Sequence, residues 1–409
     1  MDDVAYLLSA RAVRERAHQM LVLGLADKLP HFRVEVGKLD AIADLVLDVT
    51  RKAYPDGEVP FHSRWRHFVV GGVDRWAAIA DKVNWPNAAS RARAEFDLAI
   101  TSVLLDAGAG AAWRYHDVIS DTRIGRSEGL ALASLDMFAS GAFSADASDP
   151  LRADAAKLKQ LTVGDLERGF QVGADNPLVG LEGRVELLRR LGVVVNPHSD
   201  RSIFPNRDTP RPGGLFDDLA ARAEDGRIQA DAILQSVLRQ FGRIWPSRIL
   251  LNGTSLGDCW RHPSLPTDDG ISNLVPLHKL SQWLSYSLIE PLQRAGLVVE
   301  NIDGLTGLAE YRNGGLFVDG GVLVLRDPAD AARAHAVDSP LVVEWRALTV
   351  ALLDRLALLI RQRTGQTAEQ LPLARILEGG SWAAGRKLAF ARRPDGSPPL
   401  TIISDGTVF

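Results

Sequence analysis

Apolar residues recur at helical spacing through most of this chain, and that period limits the folds open to it. Within residues 38–53 five apolar side chains would share one helix face: Leu39, Ile42, Leu45, Val46 and Val49. The same period predicts helices at 2–27, 64–82, 88–107, 181–192, 215–224, 228–242, 272–295 and 340–363. The sequence therefore predicts a mainly α protein, a helical globular body with small β-hairpins.

Two glycine-bearing stretches interrupt the helical period and predict the hairpins. Within residues 314–325, a short run with the alternating pattern of a strand lies between two glycine pairs. Residues 388–409 contain the turn sequence Pro394-Asp395-Gly396. An irregular, proline-bearing segment at 193–214 separates two groups of helices, and long ordered loops are often functional. We expect an N-terminal helical lobe, 1–192, and a C-terminal helical lobe with the hairpins, 193–409, joined in one continuous body.

Composition excludes several classes of partner. The 409 residues carry a formal charge of -4, so no basic surplus argues for nucleic acid. The single cysteine, Cys259, rules out internal disulfides and cysteine-based zinc sites and is typical of a reducing compartment. No run of about 18 apolar residues is present, and the N-terminus lacks the basic start and apolar run of a signal peptide. We expect a soluble, cytoplasmic protein that binds a small molecule and neither nucleic acid nor membrane.

Common cofactor and metal motifs are also missing from the sequence. It contains no dinucleotide-binding or phosphate-binding glycine loop, no nucleophile elbow and no zinc-binding helix with two histidines. His62 and His67 are five residues apart, whereas two metal ligands on one helix face are usually four apart. We therefore expect no cofactor and no metal.

Tryptophan and arginine recur side by side. Trp-Arg-His occurs at 65–67 and 260–262, and Trp-Arg-Tyr-His occurs at 113–116. The indole of tryptophan is a flat apolar surface, and the guanidinium of arginine has a planar set of donors that matches phosphate or carboxylate. The two side chains together could therefore bind a planar base or a sugar phosphate. The alternative is that the tryptophans pack the core while the arginines stack on them or reach solvent.

Two aspartates are candidate functional carboxylates. Asp106 lies among apolar neighbours and would share a helix face with Gly110, Trp113 and Asp117. A buried carboxylate is costly unless paired, so this position predicts either a salt bridge to an arginine or a binding-pocket carboxyl with a raised pKa. Asp258 lies in the glycine-broken stretch 250–266, whose polar density indicates either a functional loop or simple capping.

The segment LTGLAEYR, 305–312, carries an acid at the end of an apolar stretch. Its apolar residues would seat the segment in the core, and Glu310 would then lie at the edge of a cavity. Arg312 would hold that carboxylate ionised or bind an anion, and the predicted hairpin that follows, including Asp319, would close one wall. Such a carboxylate can stabilise a developing oxocarbenium cation or activate water. The alternative is a buried Glu–Arg pair that fixes the hairpin.

Several stretches together resemble the uracil-catabolism family named after the fungal URC and urg genes, which is also catalogued as a domain of unknown function. The matching stretches span most of the chain: VPFHSRWRHF (59–68), GRSEGLALASLDMFASGAFS (125–144), NPLVGLEGRVELLRRLG (176–192), ILLNGTSLGDCWRH (249–262), LVPLHKLSQWLSYSLIEPL (274–292) and GLTGLAEYRNGGLFVDGGVL (304–323). The resemblance implies a step in a pathway that takes uracil apart through ring-opened, ribose-linked urea.

A second, more distant similarity concerns LTGLAEYR with the apolar helix before it. This stretch resembles the LT-x-FADYR segment of queuosine-salvage nucleoside hydrolases, and that likeness implies a helical architecture akin to DNA glycosylases and cleavage of an N-ribosidic bond. The acid is Glu310 here and aspartate in that family, and Asn313-Gly314-Gly315 replaces the Val-Pro-Gln that follows there.

Together the two resemblances imply an N-ribosyl hydrolase acting on a ribosylurea-like or nucleotide-like intermediate, with or without a 5-phosphate. Glu310 would stabilise the cation or position water, and Asp258 or Asp106 would orient water or ribose hydroxyls. The candidates for binding phosphate or the leaving group are Arg312, Arg64, Arg261, His67 and His262. The candidates for packing against the sugar or base are Trp65, Trp260 and Tyr311.

Two alternatives stay open at this point. A uracil phosphoribosyltransferase-like enzyme would need a parallel sheet with an acidic strand end and a phosphate loop, and the helical bias counts against it. A non-enzymatic ligand-binding protein of the same pathway would also suit the Trp-Arg triplets.

Overall fold

The computed structural model describes residues 2–106, 108–110, 112–195, 210–245 and 248–403. Its helices are α1 (Asp3–Leu7), α2 (Ala10–Leu25), α3 (Leu39–Ala53), α4 (Arg75–Ala80), α5 (Ala88–Leu104), α6 (Arg126–Ala139), α7 (Ala155–Gln160), α8 (Val163–Gly169), α9 (Leu181–Val194), α10 (Leu215–Ala221), α11 (Ala230–Phe241), α12 (Lys279–Arg294), α13 (Tyr311–Asp319), α14 (Pro340–Thr364), α15 (Leu373–Ile376) and α16 (Trp382–Arg392). A π-helical turn, Leu377–Ser381, joins the last two.

The strands are short, with two or three residues each. They are β1 (Phe32–Val34), β2 (Val69–Val70), β3 (Val73–Asp74), β4 (Tyr115–Asp117), β5 (Thr122–Ile124), β6 (Arg227–Gln229), β7 (Leu250–Leu251), β8 (Thr254–Ser255), β9 (Cys259–Arg261), β10 (Leu274–Pro276), β11 (Val298–Glu300), β12 (Leu323–Leu325), β13 (Ala334–Ala336) and β14 (Thr401–Ile403). Every sheet formed by the described residues has two strands. The predicted fold class, mainly α with small β pieces, is confirmed.

The chain divides into two compact units. Unit 1 comprises Met1–His62, Arg248–Gln282 and Asn301–Ser404, and unit 2 comprises Ser63–Ser247, Trp283–Glu300 and Asp405–Phe409. Each unit is assembled from separated parts of the sequence, whereas the expected lobes, 1–192 and 193–409, divide the chain only once.

Unit 1 is built around α14, whose side chains are buried over most of its length. Ser339 caps its first turn with Pro340 behind it, and Gly365 ends it in the left-handed conformation. Helices α2, α3 and α13 pack on α14, and α16 packs on α13. The sheets of this unit pair β1 with β12, β7 with β8 and β9 with β10 antiparallel, and β13 with β14 parallel.

Unit 2 is built around α5, which Asn87 caps and which is buried over its second half. Helices α6 and α10 pack on α5, and α9 packs on α7. Asp97 on α5 is fully buried, and it accepts hydrogen bonds from Ala153 N and Arg211 Nε as well as from Gly213 N. This one carboxylate therefore fastens two loop segments to the central helix.

Several predicted helices agree with the structure to within a few residues: 38–53 (α3), 181–192 (α9), 228–242 (α11) and 340–363 (α14). The predicted helix 2–27 is two helices, because Ser9 is extended and its hydroxyl caps α2 by accepting from Ala12 N. The predicted helix 64–82 contains a 3-10 turn, a hairpin and then α4. Most of the irregular segment 193–214 lies outside the described residues.

The two predicted hairpins are wrong. Residues 311–319 form α13, and the β12 strand that follows pairs with the distant β1. Near the C-terminus α16 continues to Arg392, and β14 pairs in parallel with β13. Among the described residues, no helix has both the length and the apolar character that crossing a bilayer requires.

Candidate functional site

Glu310 lies at the start of α13, in unit 1. It is the N-cap residue, with extended backbone, and only 8% of it is exposed. Its Oε2 accepts from Arg312 N and its Oε1 accepts from Asn313 N, each at 2.6 Å. The carboxylate thus faces two backbone N–H groups at a helix N-terminus, where negative charge is stabilised.

The environment of Glu310 nevertheless opposes ionisation. Burial raises the pKa of Glu310, while the two backbone N–H groups and the charges of Lys279 and His62 lower it, and the pKa is raised overall. A buried carboxyl with a raised pKa is a group that can accept or donate a proton nearer to neutral pH than an exposed one.

The guanidinium of Arg312 does not pair with this carboxylate. It donates to Gly396 O at 2.9 Å and lies over the Tyr311 ring, with its carbon 5.0 Å from the ring centroid. The expectation that the Arg312 side chain holds Glu310 ionised is therefore wrong, as is the alternative of a Glu–Arg pair. The backbone N–H of Arg312 makes the contact instead.

Both oxygens of the Asp258 carboxylate accept two hydrogen bonds each. Its two oxygens accept from Arg346 at 2.7 and 2.8 Å, from Trp260 Nε1 at 2.7 Å and from Lys279 N at 3.0 Å. Burial alone would raise the pKa of Asp258, but the charge and hydrogen bonds of Arg346 outweigh it, so the pKa lies well below its usual range. With four donors on two oxygens, this group is held ionised and has no acceptor site left for a ribose hydroxyl.

Arg346 connects that ion pair to Glu310. Its Nε donates to the carbonyl of Ala309, the residue before Glu310, at 3.1 Å. Asp258 in turn holds the first N–H of α12 at Lys279, the residue whose charge acts on Glu310. The Asp258–Arg346 pair therefore positions the starts of both α12 and α13.

The charge of His62, which is paired with Glu378, acts on the carboxyl of Glu310. His62 Nδ1 lies 2.8 Å from Glu378 Oε2, and Tyr54 donates to the other oxygen of Glu378 at 3.1 Å. Glu378 lies on the π-helical turn Leu377–Ser381, and such turns are frequent at functional sites. Sequence reasoning considered His62 only as a metal ligand and overlooked Glu378, whose one local signal is the glycine pair after it.

Two buried amides lie beside these groups. Asn313, on the first turn of α13, accepts from Ser381 Oγ at 2.8 Å through its side-chain oxygen. Gln282, on the first turn of α12, accepts from Thr306 N at 3.2 Å through its own. Both residues are fully buried. They were not singled out from the sequence, because a lone Asn or Gln in a helical stretch gives no chemical signal.

The other unit 1 candidates have structural contacts. Trp260 is buried and bonded to Asp258, and Arg261 is exposed with its guanidinium on Asn273. His262 is fully buried, and its Nδ1 accepts from Ser264 N at 3.2 Å. Asp319 forms a bidentate pair with Arg393 at 2.5 and 2.8 Å, which joins the end of α13 to the end of α16.

The remaining candidates belong to unit 2. Arg64 is fully buried, pairs with Asp106 at 3.2 Å and donates to Ser102 Oγ at 2.6 Å. Its guanidinium also lies 3.3 Å from His67 Nδ1. Trp65 is buried, with Nε1 donating to Ser287 O at 2.7 Å. For Asp106 the salt-bridge alternative is the one found.

The helix face expected around Asp106 is wrong. Helix α5 ends at Leu104, and Trp113 lies in a loop with its Nε1 on Phe170 O. Asp117 pairs with Arg75 at 2.7 Å. The structure thus gathers Glu310, Asp258, Arg312, Tyr311, Trp260, Arg261, His262 and Asp319 in unit 1, and Asp106, Arg64, Trp65 and His67 in unit 2.

Among the described residues, no group of three or more His, Cys, Asp or Glu side chains is arranged to hold a metal ion. Metal independence stays a prediction.

Comparison with known proteins places this chain among named relatives. The family model described as "Protein of unknown function (DUF1688)" matches residues 6–409. "Protein urg3" of Schizosaccharomyces pombe is 39% identical over 415 residues, covering 100% of this chain and 99% of that protein. "Uracil catabolism protein 4" of Lachancea kluyveri is 36% identical over 445 residues, again with 100% and 99% covered. The chain therefore belongs to the DUF1688 family, as the quoted stretches indicated.

Proposed function

We propose that this protein acts in uracil catabolism as an N-ribosyl hydrolase that cleaves the N-glycosidic bond of a ribosylurea-like intermediate, with or without a 5-phosphate. The pathway is suggested by the name of the Lachancea kluyveri relative, which is similar over 99% of its length. The chemistry is suggested by Glu310, a buried carboxyl that backbone N–H groups hold in place and whose pKa is raised.

The proposed reaction breaks the bond between C1 of ribose and the urea nitrogen. As that bond lengthens, positive charge develops on the sugar ring, and a nearby carboxylate stabilises it. A water oxygen then bonds to C1, its proton passes to a base, and the leaving nitrogen takes up a proton. Glu310 would stabilise the cation and accept the proton from water, and His62, bonded to Glu378, is the candidate donor to the leaving nitrogen.

In this proposal Asp258 does not touch the substrate. Its four donors leave it as a positioning residue that acts through Arg346 and the backbone of Lys279. Asp106, which the sequence offered as another second carboxylate, is paired with Arg64 within unit 2. The single observation that carries the proposal is therefore the placement of Glu310.

A phosphoribosyltransferase-like function has less support. Such enzymes need a parallel sheet that presents an acidic strand end and a phosphate loop. In the described ranges each sheet has only two strands, and neither parallel pair, β6–β11 or β13–β14, is part of a larger sheet.

The test uses the full chain and ribosylurea, prepared with and without a 5-phosphate. Release of free urea is followed by mass spectrometry for the wild type, for Glu310→Gln and for Glu369→Gln, an exposed glutamate of the same unit. We expect wild type and Glu369→Gln to release urea, and Glu310→Gln to bind the substrate without releasing it. Wild-type protein that binds ribosylurea but never releases urea would support the non-enzymatic alternative and overturn the hydrolase.

A further inference from the structure

Two buried side-chain amides on α12 and α13 accept a hydrogen bond through their oxygen and donate none through their NH2 group. The side-chain oxygens of Asn313 and Gln282 each accept a bond, from Ser381 Oγ and from Thr306 N. Neither Asn313 Nδ2 nor Gln282 Nε2 donates a hydrogen bond to any of the described residues. Both residues are 0% exposed, so each presents an NH2 group that the fold itself does not satisfy.

Asn313 lies on the same helical turn as Glu310. Asn313 is the third residue of α13 and Glu310 is the N-cap residue, and side chains at these two positions lie side by side. The backbone N–H of Asn313 donates to Glu310 Oε1 at 2.6 Å, while its side-chain oxygen accepts from Ser381 Oγ. Asn313 is therefore bonded to the candidate catalytic carboxyl through its backbone, and its side chain extends from the same helical turn.

Gln282 on α12 contacts the segment that leads to Glu310. Gln282 and Lys279 are three residues apart on the first turn of that helix, so their side chains share a face. Lys279 exerts its charge on Glu310, and Gln282 binds the backbone of Thr306 in the segment that leads to Glu310. The two amides thus belong to the elements that carry the candidate carboxyl: Asn313 to the first turn of α13, and Gln282 to the helix that holds the segment before it.

Unsatisfied buried donors need a physical reason. Buried polar groups in native proteins are nearly always hydrogen-bonded, since an unmade bond costs the full desolvation of the group. An apolar side chain of similar size would fill the same space without that cost. Two such donors beside a candidate catalytic group point to a ligand that supplies the acceptors.

We propose that Gln282 and Asn313 form the recognition pair of this site and bind uncharged oxygen acceptors of the substrate, either the ureido carbonyl or the ribose hydroxyls. This inference rests on the proposed function and deepens it by naming the substrate chemistry. A neutral oxygen acceptor fits because a side-chain NH2 group offers hydrogen bonds and carries no charge to pair with an anion.

The experiment exchanges donors for acceptors while keeping the existing bonds. Gln282→Glu and Asn313→Asp retain the oxygen that accepts from Thr306 N or Ser381 Oγ and replace each NH2 by a second oxygen. Gln282→Met and Asn313→Ser are neutral variants for the case that a buried carboxylate prevents folding. Asn176→Asp, in unit 2, controls for the general effect of turning an amide into a carboxylate.

Binding is measured by titration calorimetry with three probes: urea, D-ribose and ribosylurea. Ribosylurea is titrated into protein that also carries Glu310→Gln, so that the ligand is not hydrolysed during the measurement. We expect each Gln282 or Asn313 change to weaken ribosylurea binding roughly tenfold or more, with Asn176→Asp unchanged. Weaker binding of urea alone assigns the pair to the ureido carbonyl, and weaker binding of ribose alone assigns it to the sugar.

If the variants melt at lower temperature but bind ribosylurea as tightly as their parent, the two amides have only a structural role and this inference is overturned. It is also overturned if the parent protein binds none of the three probes. If wild type releases urea while the amide variants keep the parental KM, the recognition pair fails and the hydrolase stands. If binding depends on the amides but no urea is released, the hydrolase fails and the recognition pair stands.

Discussion

Asp258 and Arg346 form a buried, bidentate ion pair, with oxygen–nitrogen distances of 2.7 and 2.8 Å between residues 88 positions apart. Through Lys279 N and Ala309 O, the pair holds the first residue of α12 and the residue before Glu310. The geometry of the candidate carboxyl is therefore set by groups that do not touch it.

Replacing Arg346 with methionine should be strongly destabilising. The change leaves Asp258 buried without its counter-charge, a loss that typically costs about 3–5 kcal/mol. Urea denaturation of the wild type and the variant measures it. Arg333→Met is the matched control, because Arg333 pairs with Asp327 and Asp330 while 58% of its side chain is exposed, and it should change stability little. Equal losses for both variants would contradict the role of the buried pair.

The same pair predicts how stability depends on pH. Since the pKa of Asp258 is lowered by folding, its contribution is present above the ordinary aspartate pKa of about 4 and is lost as pH falls from there toward the lowered value. Asp258→Asn removes this contribution, so its unfolding free energy should fall less steeply than that of wild type below about pH 4. The measurement is a set of denaturation curves between neutral and strongly acidic pH, and parallel pH profiles would count against it.

Replacing Lys279 with methionine should move the acidic limb of the activity profile to higher pH. The charge of Lys279 lowers the pKa of Glu310, so its removal raises that pKa and the carboxyl loses its proton later. The backbone bond from Lys279 to Asp258 is unaffected by the change. The pH dependence of kcat/KM for urea release measures the shift, and Lys38→Met, an exposed lysine of unit 1, should leave it in place. A downward shift would show that Glu310 is not the group titrating.

Replacing Glu378 with glutamine tests the partner of His62. A neutral amide cannot replace the carboxylate that positions His62 as the proton donor, so kcat should fall about a hundredfold while KM changes little. Glu378→Asp should restore part of the loss, and Glu369→Gln should have no effect. Thermal melting is measured alongside, because a purely structural role would lower the Tm without a selective fall in kcat.

Gly385 tests the packing behind Glu310. A Cβ on Gly385 of α16 would lie 2.2 Å from the carbonyl oxygen of Arg312, so Gly385→Ala must displace the first turn of α13. We expect a loss of about 1–3 kcal/mol in stability and reduced urea release. Gly37→Ala is the matched control, since nothing lies within 4 Å of its Cβ position. If both variants were equally stable and active, the close approach of α16 would not matter.

The periodic part of the fold was predictable from the sequence, because helical spacing is a local property. The apolar stripe of 38–53 became α3, and the apolar residues Leu305, Leu308 and Ala309 are buried as expected. The burial of Glu310 followed from the same neighbours. These predictions required only the side chains within a few turns of chain.

The glycine pairs after Glu310 were misread for an identifiable reason. A glycine in a helix costs about 1 kcal/mol relative to alanine, so Gly314-Gly315 favours a turn over a helix. In the folded protein a Cβ on Gly314 would lie 2.7 Å from the Trp345 ring of α14. The glycine is therefore needed for close packing of α13 on α14, a contact that no local pattern contains.

By itself the sequence determined the helical class, the family and the burial of one acid at position 310. Only the tertiary structure decided which groups surround that acid: backbone N–H groups in place of a guanidinium, and the charges of His62 and Lys279. Helix formation depends on neighbours along the chain, whereas the ionisation of a buried carboxyl depends on charges and donors that folding brings together from distant positions.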